Sequence, residues 1–221
     1  MKKTTALAAL LLGAMAAPAH AGADNPWQVK LLGTAVLPDG KIDRVDTDIV
    51  GLPATLQTAA NDNYVPTLAV EYFFTDNVSV ETICCITQHD VDATTGLLGA
   101  ELVADAKVIP ATVTLKYHLP VGAVKPYVGV GPTWFLWVDS KPGAATVPLG
   151  VTRTTLSSEV GVAVQAGVDV ALGYSGFGLS LDAKRYFVNT TARWYAGQTL
   201  AIQTKHSLDP WVLSAGIAKR F

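Results

Sequence analysis

Apolar and polar residues alternate one for one along much of this chain, the repeat of an extended strand with a single apolar face. The alternation is cleanest over Glu159–Leu172. There Val160, Val162, Val164, Ala166, Val168, Val170 and Leu172 share one face, and Gly161, Ala163, Gln165, Gly167, Asp169 and Ala171 the other. Val113, Leu115, Tyr117 and Leu119 alternate in the same way with Thr112, Thr114, Lys116 and His118. Repeats of this length argue for half-buried strands over helices. Eight such segments are predicted: Trp27–Leu37, Tyr64–Thr75, Val78–Asp90, Pro110–Leu119, Lys125–Val138, Glu159–Leu172, Leu179–Val188 and Leu208–Phe221. In the last, Trp211, Leu213, Ala215, Ile217 and the terminal Phe221 point one way, and Ser214, Gly216, Ala218 and Arg220 the other.

The connections alternate as well. Asp76-Asn77, Pro120–Val124 and Gly173–Gly178 are short and rich in turn residues. Pro38–Asn63, Val91–Ile109, Asp139–Ser158 and Asn189–Ser207 are long and carry no legible motif. Short turns at one end and long loops at the other, with an apolar face carried to a terminal aromatic, describe an outer-membrane barrel. The prediction is therefore an all-β, eight-stranded antiparallel transmembrane β-barrel over residues 22–221. Its four long loops are expected outside the cell, and its three turns and both termini in the periplasm.

The start of the chain agrees. Lys2 and Lys3 precede an apolar run from Ala6 to Ala17, and Ala19-His20-Ala21 supplies the small residues of a cleavage site. Residues 1–21 read as a secretory signal, since the run is too short for a membrane anchor. Its removal takes two lysines and no acid, moving the net charge from −2 to −4. A mildly acidic chain without a basic run is not a nucleic-acid binder. The composition, 50% hydrophobic and 15% charged, is far from that of a soluble domain. Yet no later stretch reaches the ~18 apolar residues of a spanning helix, which leaves a closed barrel as the way to satisfy the backbone in lipid.

The inward face holds the charge. On this register Lys30, Lys116, Lys184 and Arg220 share the lumen with Glu71, Glu81, Asp169 and Asp182. An eight-stranded barrel is just wide enough for its side chains to fill, so these groups must pair. An ion-pair network filling the lumen is expected, with a water-filled conducting path as the alternative. Arg185 falls on the lipid face, where a midplane arginine costs about 2–4 kcal/mol. Either it stands higher, near lipid phosphates, or a bulge shifts the phase. Adjacent Cys84 and Cys85 point to opposite faces and read as free thiols. Trp27, Tyr72, Tyr127, Trp134, Trp137 and Trp211 lie mostly near strand ends and read as interfacial girdles.

Little chemistry beyond this is visible. His89 and Asp90 are neighbours on a strand and point apart, His206 and Ser207 likewise, and His118 lies at the turn end. No catalytic constellation, metal-ligand spacing or cofactor motif is read, so no enzyme, metal or cofactor is expected.

Several motifs together resemble the OmpW family of small outer-membrane barrels. They are Thr75-Asp76-Asn77-Val78-Ser79-Val80-Glu81, Pro110-Ala111-Thr112, Lys125-Pro126-Tyr127-Val128-Gly129-Val130-Gly131, Gln165-Ala166-Gly167-Val168-Asp169, Thr190-Thr191-Ala192, and Leu208-Asp209-Pro210-Trp211-Val212 through Arg220-Phe221. The resemblance implies a narrow barrel with a hydrophobic pocket open to the outside, admitting small hydrophobic solutes. By position, Ile83 and Lys184 stand at the pocket floor. Lys184 replaces a tryptophan of well-known members, Val160 another, and Lys219 a tyrosine; vicinal cysteines are atypical as well. A lysine at the floor favours an ion pair with Glu81 or Asp182 over an apolar gate. Lateral exit into the bilayer follows as an expectation, because the lumen looks too charged and crowded for straight passage. Expected partners are outer-membrane lipid and lipopolysaccharide, such solutes, and the barrel-assembly machinery, for which Trp211 and Phe221 form the assembly signal. The alternative is a structural or binding barrel whose loops serve as an adhesion, phage or bacteriocin receptor surface.

Overall fold

The computed structural model describes residues 25–221, and the leader expected at residues 1–21 lies outside them. In chain order the strands begin with β1 (Trp27–Leu37), β2 (Lys41–Asp48), β3 (Gln57–Ala60), β4 (Asn63–Phe73), β5 (Val78–Cys84), β6 (Thr87–Thr95) and β7 (Glu101–His118). They continue with β8 (Val124–Pro142), β9 (Arg153–Leu156), β10 (Glu159–Ala171), β11 (Phe177–Phe187), β12 (Asn189–Ala196), β13 (Thr199–Ser207) and β14 (Trp211–Arg220). Strands β1, β4, β5, β7, β8, β10, β11 and β14 close, in that order, into an antiparallel barrel. β14 returns to β1 from Gln28↔Arg220 to Leu37↔Trp211. Beyond that ladder the backbones of Trp27 and Phe221 exchange hydrogen bonds of 3.1 and 2.9 Å. Closure removes the free edges that strands in hydrocarbon cannot leave unpaired.

The period-two pattern sorts the wall as the sequence implies. Leu31, Leu68, Leu115, Val130, Val162, Leu181 and Leu213 are exposed on the outside, and the residues between them turn inward. The three tight turns share one end with residues 25 and 221, called here the turn end; the long connections share the other, the loop end. The β10–β11 and β11–β14 ladders run without a register shift, so no bulge carries Arg185 inward. Instead Arg185 Nη2 meets Asp39 Oδ2 at 2.8 Å, beside the ring of Trp211. It stands at the loop end of its strand, the higher of the two positions open to it.

Two features depart from the sequence reading. The third predicted strand, Val78–Asp90, is interrupted at Cys85-Ile86, which separates β5 from β6. Ile83 faces Thr112 and Thr87 faces Val108, so the register is the same on both sides and Cys85 stands opposite Pro110. Proline has no N–H to donate, and the ladder lapses there. On the other flank, β4 pairs with β5 only from Leu68↔Cys84 downward, while β6 pairs with β3 instead. Extending the β4–β5 register places Ile86 opposite Pro66, a second residue without a donor. A window in the hydrogen-bonded wall thus lies between Tyr64–Thr67 and Cys85–Thr87, with Pro66 on its rim, while Pro110 interrupts the opposite flank of the same segment.

The second departure is that the long connections are largely strand. Sheet β2-β13-β12-β9 faces β3, β6 and the outer parts of β7 and β8, extending the barrel as a flattened sandwich. Leu56, Leu102, Ala106, Ala192, Trp194 and Ile202 fill the space between the layers. These strands break the alternation that revealed the others. Ile42 is the one buried residue of β2, whereas Thr190, Thr191 and Ala192 are buried in succession in β12. Their ladder also shifts register at Gln203/Thr204 and Lys205/His206.

Candidate functional site

The inner faces of the barrel strands build two contrasting layers, a charged plug toward the turn end and an apolar cavity above it. Lysine and acid meet in the plug because each sits on the inward phase of a different strand. Lys30 Nζ (β1) lies 2.9 Å from Glu71 Oε2, 3.0 Å from Glu81 Oε2 and 3.3 Å from Asp169 Oδ2. Lys116 Nζ (β7) is 2.9 Å from both Glu71 and Glu81. Lys184 Nζ (β11) reaches Asp182 at 2.6 Å and Glu81 at 3.2 Å.

Neutral side chains supply the remaining hydrogen bonds. The Gln165 amide donates to Glu81 at 2.8 Å and to Asp182 at 2.6 Å, and the Tyr127 hydroxyl donates to Asp182 at 2.8 Å. The Gln28 amide donates to Glu71 and Asp169, Ser180 to Asp169, and Ser79 to Glu71. This density is what charges withdrawn from water require, since a desolvated ion pair holds only with good geometry and its other lone pairs satisfied. Small residues make the room. A Cβ at Gly129 would meet Lys116 Cγ at 3.0 Å, and one at Gly167 would meet the Tyr127 phenol.

Arg220 stands apart from this group. Its guanidinium lies over the Phe73 ring at 4.0 Å, pairs with Asp76 at 3.3 Å and donates to the Asn25 carbonyl. Trp211 and Phe221 are half-exposed on the outer surface at opposite ends of the last segment. His118 joins the plug, with Nε2 at 2.8 Å from Ser79 Oγ and 3.0 Å from Glu71 Oε1. Serine, histidine and an acid thus meet, but both contacts fall on one ring nitrogen and Nδ1 has no partner among the described residues. A relay needs the acid on the opposite nitrogen and a space for substrate; all three side chains are fully buried.

Above Lys184 the lumen changes character. Its floor is Ile83, Leu32, Thr67, Cys85 and the Lys184 stem, its waist Val36, Val108, Phe135, Trp137, Tyr186 and Val212, and its roof Leu102, Ala106, Trp194 and His206. The free volume is about 90 Å³, against the ~300–1,000 Å³ of ordinary ligand sites. The space is slender and its lining almost wholly apolar. The polar atoms along it are mostly paired with one another, as Thr34 with Ser214 at 2.8 Å and Trp194 Nε1 with the Leu102 carbonyl at 2.9 Å. His206, above the barrel in β13, contacts Thr204 Oγ1, and its burial pushes the imidazole pKa down to about 4.

Tyr127 and Trp137 correct the girdle assignment. Both fall on the odd, inward phase of β8, Tyr127 in the plug and Trp137 in the cavity, while Trp27, Trp134 and Trp211 are outside. Proximity to a strand end had suggested the interface; phase decides the face. Phase also locates Gln28, Ser79 and Tyr186, which were not singled out. Nothing in the local pattern announces the Trp194 and His206 roof, since those residues arrive from strands without alternation.

The sequence profile of the OmpW family matches residues 25–221. An outer-membrane protein of Sinorhizobium fredii, y4mB, is 32% identical over 98% of this chain and 90% of its own length. Outer membrane protein W of Vibrio cholerae is 28% identical, with 96% of each chain covered. Among solved structures, OprG of Pseudomonas aeruginosa superposes with a TM-score of 0.79 at 23% identity, covering 90% of this chain and 98% of OprG. AlkL, determined in lipid bilayers, gives 0.71 at 21% identity, covering 93% and 94%. At these identities both comparisons speak for the fold alone.

Proposed function

Since this chain belongs to the OmpW family and is a protein of the bacterial outer membrane, we propose that it admits small hydrophobic solutes from its loop end and releases them sideways into the bilayer. The loop end then faces outward and the turns face the periplasm. Supporting this reading above all is one juxtaposition: the apolar cavity ends blind on Lys184, Glu81 and Asp182, and beside that floor the wall loses its ladder. Cys85 lines the cavity at the very residue where the strand is interrupted. A solute that reaches the floor meets a charged plug below, whose disruption would strand buried ions at about 3–5 kcal/mol. The window beside it, rimmed by Pro66, holds no ladder to break.

Ile83 and Lys184 act in this proposal as the floor, and Lys30, Glu71, Glu81, Lys116, Asp169 and Asp182 as the closure beneath it. Trp211 and Phe221 serve recognition by the barrel-assembly machinery, and lipopolysaccharide surrounds the loop-end half. Uptake of an apolar solute into vesicles with and without the purified protein tests the transport reading. Faster uptake with protein supports it, and equal uptake overturns it.

A further inference from the structure

Charge at the loop end is sorted by layer. On β6 and the outer parts of β7 and β8 stand Asp90, Asp92, Glu101, Asp105 and Asp139. The two lysines of that layer are held, Lys107 by Asp139 at 3.7 Å and Lys141 by Asp105 at 2.7 Å. The sheet of β2, β13, β12 and β9 carries the reverse. Lys41, Arg153, Arg193 and Lys205 all lie on it, and none has a carboxylate partner among the described residues.

Register stacks these cations on one face. Ala192, Trp194 and Ile202 turn into the core, so Arg193 and Lys205, on the opposite phase, face outward. Lys41 stands level with Ser207 and Asn189, Arg44 and Lys205 with Thr191, and Arg153 with Tyr195. Residues 189, 191, 193 and 195 of β12 thus mark four cationic rungs, the top one about 20 Å above the bottom at the rise of a strand. The bottom rung adjoins the girdle, since Lys41 follows Asp39, which holds Arg185 beside Trp211.

The acids of this sheet are already committed. Asp43 accepts the Ser207 hydroxyl, and Asp48 the backbone N–H groups of Val50, Gly51 and Leu52. Asp46 pairs with Arg44 and accepts the Gln203 amide at 3.1 Å, and Gln203 accepts from Arg193 Nε at 2.8 Å. Arg44 and Lys205 meanwhile face each other directly across the strands, a like-charge pair that costs stability until an anion offsets it.

We propose that this face is a lipopolysaccharide-binding site, its rungs taking the phosphates of the outer leaflet's lipid. A glycerophospholipid presents its phosphate at one level, beside the girdle. Lipopolysaccharide spreads its phosphates upward from the glucosamine headgroup into the sugar core, which matches cations stacked over about 20 Å. Guanidinium forks and ammonium groups both suit phosphate oxygens. The inference rests on the outward-facing loop end proposed above and is independent of transport.

The test measures binding of labelled lipopolysaccharide, and of the same material stripped of phosphate, to the protein in neutral detergent micelles. The wild type is expected to bind the phosphorylated form roughly a hundredfold more tightly. The double variant Arg193→Gln, Lys205→Gln should bind it roughly thirtyfold more weakly than wild type, the worth of two surface cations. The double variant Lys107→Gln, Lys141→Gln, on the acidic layer, should bind as the wild type does. Equal wild-type affinity for the two forms overturns the inference without recourse to a variant, as does an equal loss in both variants. Displacement by inorganic phosphate at matched phosphate concentration would assign the face to free anions and overturn it too. Absent binding, with wild-type dimers that Arg193→Gln, Lys205→Gln abolishes, would give the face to a second copy. Orientation is checked separately with Leu98→Cys, at the exposed tip between β6 and β7, labelled on intact cells by a membrane-impermeant maleimide against a wild-type background. Label without binding in micelles sinks this inference and leaves the outward loop end standing; no label places the loop end in the periplasm and sinks both.

Discussion

At the scale of single residues, Glu81 is the hub of the plug. Its two oxygens serve Lys30, Lys116, Lys184 and the Gln165 amide, and it is almost completely buried. Replacing it with glutamine keeps the volume but takes one buried ion-pair contact from each of three ammonium groups, which keep only Glu71, Asp169 or Asp182. Glu81→Gln should destabilise the folded barrel by about 3–5 kcal/mol, read as a lowered midpoint in reversible urea unfolding in lipid vesicles. A loss below about 1 kcal/mol would show that the cluster is well hydrated. Lys30, Lys116, Lys184, Glu71, Glu81, Asp169 and Asp182 were legible in the sequence because period two is unambiguous over strands of this length. Arg220 has the same phase but sits at the last turn of the barrel, where an inward side chain reaches water and the Asp76 turn instead. Phase names a face and says nothing of depth, and depth separates plug from rim.

At the scale of elements, the interruption between β5 and β6 is a backbone effect with a named cause. Pro66→Ala supplies the missing donor opposite Ile86 in a register that is already correct. The substitution should extend the β4–β5 ladder to residues 66 and 86, seen as slowed exchange of the Ile86 amide. If solutes leave through the window, their uptake should fall severalfold. Slowed exchange with unchanged uptake would move the exit elsewhere in the wall. The loop-end sheet has its own lever in His206. Burial lowers its pKa to about 4 from an unfolded value of about 6.5, so the folded sheet favours the neutral ring. Above about pH 6.5 the ring is neutral in both states and costs nothing. As the pH falls toward 4 the unfolded segment takes up a proton that the folded one refuses, and stability drains away, by up to about 3 kcal/mol. Amides of β2 and β13 should exchange faster through that window while those of β10 and β11 hold, and His206→Gln should flatten the difference. Equal acid sensitivity of barrel and sheet would refute this. Neither the sheet nor the window was legible beforehand. The sheet depends on pairings between distant segments with buried runs such as Thr190–Ala192, and the window on Pro66, which comes to face Ile86 only once the register is known.

At the scale of the whole molecule, the barrel joins two requirements that conflict in an open pore, access for apolar solutes and closure to ions. The wall count and the inward charges already implied a filled lumen, but the roof over the cavity came only with the folded loop end. An ion crossing from end to end would have to pass first through a lining that offers it almost no polar atoms. It would then have to part the contacts of Lys30, Lys116 and Lys184, each a desolvated charge whose lost partner costs about 3–5 kcal/mol. Two barriers in series, one dielectric and one electrostatic, predict that planar bilayers containing the wild-type protein show no steady conductance above the bare membrane. Uptake of an uncharged solute in vesicles of the same lipid should proceed in the same preparation. The two measurements are informative together, because they separate a sideways route from a narrow pore. Steady ohmic current accompanying uptake would mean that water threads the plug, and the path would then run straight through Glu71 and Glu81. Uptake without current leaves the wall beside Cys85 as the route that crosses neither barrier.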